Sequence, residues 1–181
     1  MSSAPQAYGG ASELTPPLGE IDHVLGRRDA PLELVMFGDF QCPFCRAAQP
    51  AVRRVRETLG DRVVFVYRHL PTAERHPTAE AAAEASEAAA AQDHFWEYHD
   101  ALYGSQSRLS DDELLALAGA LRLDVERIAR ELSEARWRER VARDIRSATA
   151  SGAGGTPTFF ANGRRHHGSY HPRSLIQALE A

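Results

Sequence analysis

The sequence predicts an α/β protein that runs strand–helix–strand, then a block of helices, then a hairpin and a closing helix. Three observations carry this. Two apolar runs, Leu32–Phe37 and the β-branched and aromatic Val63–Tyr67, flank a segment of helical periodicity, so the first unit is βαβ and its strands are parallel. From His76 to about Ser151 apolar residues recur at helical spacing, with capping signals between them. After Gly152-Ala-Gly-Gly155 strand patterning returns around Asn162-Gly163, a type I′ turn signal, and a short amphipathic stretch follows.

Residues 1–30 are rich in Ser, Ala, Pro and Gly and are read as an extended lead-in, with Leu14, Leu18, Ile21, Val24 and Leu25 packing part of it onto the domain. Leu32–Phe37 is a short buried strand closed by Gly38-Asp39. A helix starts near Cys42, because Cys45, Ala48, Val52, Val55 and Leu59 fall at steps of three and four; Gly60 suits its left-handed cap. Pro50 removes one hydrogen bond inside that helix and is expected to kink it. In the helical block, Pro77 suits a first helical position before Ala79–Ala91. Asp93 is expected to cap a helix carrying Phe95, Trp96, His99, Leu102 and Tyr103. Ser110 to Glu113 is a capping box, and Asp124 caps the helix of Val125, Ile128 and Leu132, with Val141 and Ile145 continuing the pattern. The block is expected to hold about four or five helices. Thr158–Ala161 and Arg165–Gly168 form the hairpin and Pro172–Glu180 the last helix. The expected division is a lead-in of 1–30, a first domain from 31–75 and 152–181, and a helical insertion of 76–151.

The 181 residues fit one domain, or one domain carrying an insertion, and a hydrophobic content of 43% fills a core. With 25 acids against 21 bases there is no basic footprint for nucleic acid. Every base is Arg; without Lys, Schiff-base chemistry is excluded. No apolar run approaches the ~20 residues that a membrane span needs. Met1 to Gly10 lacks the basic start and apolar stretch of a signal peptide, so cytoplasm is the expected location; a chain trimmed of its signal would read the same and lie outside the cytoplasm.

The chain's two cysteines, Cys42 and Cys45, stand three apart. So short a loop gains little from a crosslink, so their purpose is read as chemical. Phe40-Gln-Cys-Pro-Phe-Cys-Arg46 lies where a strand ends and a helix begins. Unpaired amide N–H groups and the positive end of the helix dipole converge there and stabilise a thiolate, the attacking species in disulfide exchange. Cys42 is therefore the expected nucleophile and Cys45, one turn on and facing the core, the resolving thiol. Pro43 sits where its missing N–H costs nothing. The competing readings are inert structural cysteines or half of a zinc site, which usually wants four Cys or His ligands. His166-His167 is read as a hairpin edge, and His69 and His99 as core or interface histidines rather than acid–base groups. Phe40 and Phe44 flank the nucleophile, either as an apolar lip for a peptide or as plain packing. Pro157, in Gly155-Thr-Pro-Thr158, marks a rigid turn before a strand, for which base rates favour a trans bond. Nothing matches a dinucleotide fingerprint or a phosphate loop.

Taken together, Asp22-His-Val-Leu-Gly26, Gly38 to Cys45, Pro50, Tyr67-Arg-His-Leu70, His76-Pro77, Phe95-Trp-Glu-Tyr-His99 and Gly155 to Phe160 resemble the DsbA-like branch of the thioredoxin superfamily, over about residues 20 to 181. The resemblance implies a thioredoxin fold with an inserted helical domain, and a thiol–disulfide oxidoreductase in which Cys42 attacks and Cys45 resolves. It implies that Pro157 is a cis-proline facing Cys42, that Thr156 offers backbone groups to a substrate strand, and that Pro50 is the helix-kinking proline. Its implied partners are a thiol or disulfide protein or peptide and a recycling reductase, oxidase or glutathione, with no bound cofactor. Two positions depart from the pattern. Phe44 stands where the periplasmic oxidase of this branch has a His between its cysteines. Met36 stands where thioredoxin and that oxidase carry a buried acid; Asp39, three before Cys42, is read as a cap or turn residue. Loss of the His is expected to raise the nucleophile's pKa and give an intermediate-to-reducing protein. Two rivals stand beside this reading: a glutathione-dependent transferase or isomerase of the same fold, and a non-redox metal-binding or interaction module.

Overall fold

A computed structural model describes residues 12–106 and 109–181. Its elements in chain order are β1 (His23–Leu25), β2 (Leu32–Gly38), α1 (Pro43–Leu59), β3 (Val63–His69), α2 (Ala79–Ala90), α3 (Phe95–Gly104), α4 (Asp111–Ala120), α5 (Val125–Ser133), α6 (Arg138–Ala150), β4 (Thr158–Ala161), β5 (Arg164–His166) and α7 (Pro172–Glu180). The strands form one sheet of order β1-β3-β2-β4-β5. β2 pairs with β3 in parallel, as a βαβ crossover requires, and with β4 antiparallel. This is the thioredoxin fold, with α2 to α6 between its halves.

Period-two alternation along the central strand separates two cores. Leu34 and Met36 join Cys45, Ala48, Val52 and Val55 of α1, together with α2, α3 and α7. Val35 and Phe37 point the other way, onto Val64, Val66, Phe160 and Ala148 of α6. The first core runs without a break from the sheet into the helical block, because the small residues Ala82, Ala85, Ala88 and Ala89 let α2 approach closely. Among the described residues no helix is long and apolar enough to cross a membrane.

Several local expectations need correction. The lead-in contains β1, an edge strand antiparallel to β3, with Val24 opposite Val66. Three residues are too few to show alternation. Asp93 does not cap α3: it takes a left-handed turn at φ 64°, and His94 holds the cap position. Pro77 lies one residue before the α2 cap, Thr78. The Ser110–Glu113 capping box and the Asp124 cap, which accepts from the Arg127 N–H, form as expected. Asn162 and Gly163 both take positive φ, as a type I′ turn demands. α1 continues as helix through Pro50.

The carboxyl end of β3 is charged and buried. Arg68 is 1% exposed. Its guanidinium donates to both Asp22 oxygens at 2.8 Å, to the Ser147 hydroxyl of α6, and to the Pro16 and Pro17 carbonyls. Residues 16–22 are thereby tied to the sheet. Burial raises the Asp22 pKa, but hydrogen bonds from Arg68 and the Gly19 amide overcome this and hold it below the usual range. Next along the strand, His69 Nε2 and His23 Nε2 each lie 2.8 Å from Glu87 Oε1 of α2.

Removing one member of a buried ion pair leaves the other without compensation, at a cost of roughly 3–5 kcal/mol. Asp22→Ala is expected to lose about that much stability in urea unfolding at pH 7. Because the folded-state pKa is depressed, the gap between wild type and Asp22→Ala should be full above the unfolded value of ~3.9 and close as pH falls below it.

Candidate active site

Cys42 occupies the N-cap of α1 in an extended conformation, φ −71° and ψ 118°. Pro43 opens the helix, so the first free N–H groups are those of Phe44 and Cys45, and both stabilise the Cys42 sulfur. The Cys42 pKa falls to about 5. The largest cause is a hydrogen bond from the Cys45 thiol; burial opposes it, and the Thr156 side chain and the two amides add to it. Cys45 is 0% exposed. Burial, then the adjacent Cys42 sulfur, push its pKa far above the usual thiol value. The pair is thus asymmetric although both cysteines are buried: Cys42, 4% exposed, is the thiolate, and Cys45 is a thiol that donates to it. The two sulfurs are unbonded.

The loop before β4 closes over the pair. Cys42 Sγ is 3.5 Å from the Thr156 carbonyl oxygen, to which a protonated thiol donates. The Thr156–Pro157 peptide bond is cis. The two phenylalanines separate completely. Phe44 is 63% exposed on the rim. Phe40 is 1% exposed, so it contributes no lip; it stacks on Tyr67 and touches His69, His99 and Tyr103. Period-two alternation had no hold on a turn residue, so only the tertiary core decided its direction.

Asp39 is buried and anchors the turn. Its Oδ1 accepts from the Gln41 N–H at 2.8 Å, while Oδ2 accepts from the Thr72 N–H at 2.8 Å and lies 2.7 Å from His76 Nδ1. Met36 is wholly buried beside Gln49. The helical block supplies groups that local sequence did not reveal. Tyr103 Oη donates to the Asp39 carbonyl at 3.4 Å and lies 3.0 Å from Tyr67 Oη. Gln106 Nε2 donates to the Phe40 and Cys42 carbonyls at 2.9 and 2.7 Å. No spacing rule connects Gln106 to Cys42 across 64 residues.

His69 and His99 are core residues, on Glu87 and Asp100 respectively. His23, His69 and Glu87 hold ligand-type atoms within 4.8 Å of one another. Arg140 already stands 3.5 Å from the shared Glu87 oxygen, so a cation occupies the approach to it. Among the described residues neither cysteine belongs to such a cluster.

Residues 19–181 match the family model described as Thioredoxin. The chain belongs to the thioredoxin family. Solved structures it resembles include α-DsbA1 of Wolbachia pipientis, at TM-score 0.76 with 19% identity, covering 91% of each chain. Oxidised BdbD from Bacillus subtilis superposes at TM-score 0.83 with 23% identity, covering 94% of this chain and 96% of that one. A thioredoxin-like oxidoreductase from Silicibacter pomeroyi does so at 0.79 with 27% identity, covering 88% and 90%. Among curated proteins, Na(+)/H(+) antiporter NhaA 1 of Salinispora arenicola is 48% identical over 160 residues, 87% of this chain and 24% of the antiporter. The NhaA of Herminiimonas arsenicoxydans is 46% identical over 93% of this chain and 27% of its own length. This chain therefore spans about a quarter of those relatives.

Absorbance at 240 nm should show one thiolate forming with a midpoint near pH 5 and no second thiolate up to about pH 10. A Cys42 that stays protonated above pH 8 would refute the asymmetry. With its folded-state pKa lowered, Cys42 stabilises the reduced protein fully above the unfolded-state value of ~8.5 and loses that contribution as pH falls to about 5. The stability difference between reduced wild type and Cys42→Ser should follow that curve.

Proposed function

We propose that this protein exchanges disulfides with protein or peptide thiols through the Cys42-Pro-Phe-Cys45 dithiol. The supporting observation is the placement of the pair: Cys42 caps the start of α1, where the buried Cys45 thiol and the Phe44 and Cys45 amides face its sulfur and lower its pKa. In the reducing direction the Cys42 thiolate attacks a substrate disulfide, a mixed disulfide forms, and one substrate sulfur leaves and takes up a proton. Cys45 then gives up its proton and attacks Cys42 Sγ. The second substrate thiolate leaves, and two electrons have passed from the dithiol to the substrate. Oxidation of a substrate dithiol is the reverse.

Exposed Phe44 gives the substrate an apolar contact beside the reacting sulfur. Ala47 and Ala51 follow it on the same face of α1 and line a cleft of about 360 Å³ with Tyr170 and Pro172. Thr156 offers its backbone next to the sulfur, so an extended peptide passing Cys42 meets a polar edge and an apolar one. Transport, the activity in the curated relatives' names, is not carried onto this chain, which corresponds to about a quarter of their length.

The thiolate also bears on redox direction. At pH 7 a pKa of about 5, against ~7 for thioredoxin, stabilises the reduced form by roughly 2 kcal/mol, or ~50 mV. The potential should then lie above that of thioredoxin, about −270 mV, and below that of the strong oxidase, about −120 mV. An intermediate potential follows even though Phe44 replaces the His, because Cys45 and the amides hold the thiolate without it.

The test is turnover of insulin disulfides with dithiothreitol, comparing wild type with Cys42→Ser and Cys45→Ser. Wild type should precipitate insulin well above the uncatalysed rate, Cys42→Ser at that rate, and Cys45→Ser should accumulate a mixed disulfide on Cys42. Turnover that survives Cys42→Ser would sink the reading. A stable glutathione adduct on wild type, with no insulin turnover, would favour the transferase instead.

A further inference from the structure

The turn carrying the nucleophile is held from the helical block at three backbone carbonyls. Tyr103, in the last turn of α3, reaches the Asp39 carbonyl, and Gln106, just beyond that helix, reaches those of Phe40 and Cys42. Gln106 is 9% exposed and spends both protons of its one amide nitrogen on the turn. From the geometry we infer that Gln106 is a positioning residue for the Cys42 thiolate; this rests on the exchange function proposed above.

The argument starts from what surrounds the sulfur. A thiolate is favoured by N–H dipoles aimed at it and disfavoured by carbonyl oxygens turned towards it. The peptide joining Cys42 to Pro43 has no N–H, so its carbonyl is a dipole without an opposing donor. Gln106 takes that carbonyl at 2.7 Å, and the Arg46 N–H takes it at 3.2 Å as the first helical bond. The carbonyl is thereby committed to the helix and the block and not to the sulfur. The Phe40–Gln41 peptide is clamped from both ends, its carbonyl by Gln106 and its N–H by the Asp39 carboxylate at 2.8 Å. With these two peptide planes fixed, the Phe44 and Cys45 amides stay on Cys42. The partial positive charge of the Gln106 amino group also offsets two carbonyl oxygens near a full negative charge. Hydrophobic packing does not supply this: Phe40, buried against Tyr67 and Tyr103, holds the turn's position but carries no donor to orient its carbonyls.

The discriminating variants are Gln106→Met, similar in length without donors, and Gln106→Glu, which places an acceptor where a donor is needed. Cys42 ionisation is followed at 240 nm, and the dithiol–disulfide equilibrium is measured against glutathione, with unfolding curves as the control for folding. Gln106→Met should stay folded, raise the Cys42 pKa by about one unit, and shift the glutathione equilibrium up to about tenfold towards the disulfide. Gln106→Glu should move both further in the same direction. A folded Gln106→Met with unchanged pKa and equilibrium overturns the inference while leaving the exchange function intact. If wild-type Cys42 titrates as an ordinary thiol, both fall together. Should neither variant fold, the wild type still decides by NMR. The Gln106 side-chain amide resonances should shift with the Cys42 midpoint, and their failure to respond would overturn the assignment.

Discussion

One sulfur held ionised at the first turn of a helix is the constraint around which this molecule is arranged. A thiolate needs donors fixed in place before it forms, and the backbone supplies them only where a helix starts with its first N–H groups unspent. Here Pro43 begins α1, the Phe44 and Cys45 amides face back, and the buried Cys45 thiol completes the set. Burial works against Cys42 and more strongly against Cys45, so the pair divides into one ionised and one neutral group. That division leaves one thiolate beside one neutral thiol without a histidine between the cysteines.

Donors aimed at a sulfur are useful only if the turn that carries them does not move. Three parts of the chain share that task. β2 delivers the turn from the middle of the sheet, where Gly38 has no Cβ and so lets the Tyr67 ring pass; a Cβ there would lie 2.5 Å from Tyr67 Cε2. Asp39 binds the turn to the loop after β3 through Thr72 and His76. The end of α3 then covers its carbonyls. The helical block therefore supports the turn that carries the cysteine pair, and its core is continuous with that of the sheet.

Behind the turn, the end of β3 exchanges apolar packing for charge. Arg68 and His69 follow Tyr67 directly and are matched by Asp22, Glu87 and Asp144 from three other segments. Buried charges are costly unless paired and hydrogen-bonded, so each partner must arrive in a definite place. The result joins β1, β3, α2 and α6 on the side of the sheet remote from β5. Apolar patterning could not announce it, since the groups lie far apart in sequence and each looks like an ordinary surface charge.

Short-range physics decided much of this protein in advance. The Leu32–Phe37 and Val63–Tyr67 runs, the face of α1, the Ser110 and Asp124 caps, the Asn162-Gly163 turn and the cysteine pair at a helix start were all readable from local spacing, because each depends on neighbours within a few residues. Resemblance added the order of the thioredoxin fold. Tertiary structure alone decided the rest: β1, which is too short to show alternation, the burial of Phe40 against the exposure of Phe44, and the Arg68–Asp22 pair. It also brought Gln106 and Tyr103 to the turn that carries Cys42. These are contacts across tens of residues, and their energy comes from desolvation and hydrogen-bond geometry that exist only once the chain has closed on itself.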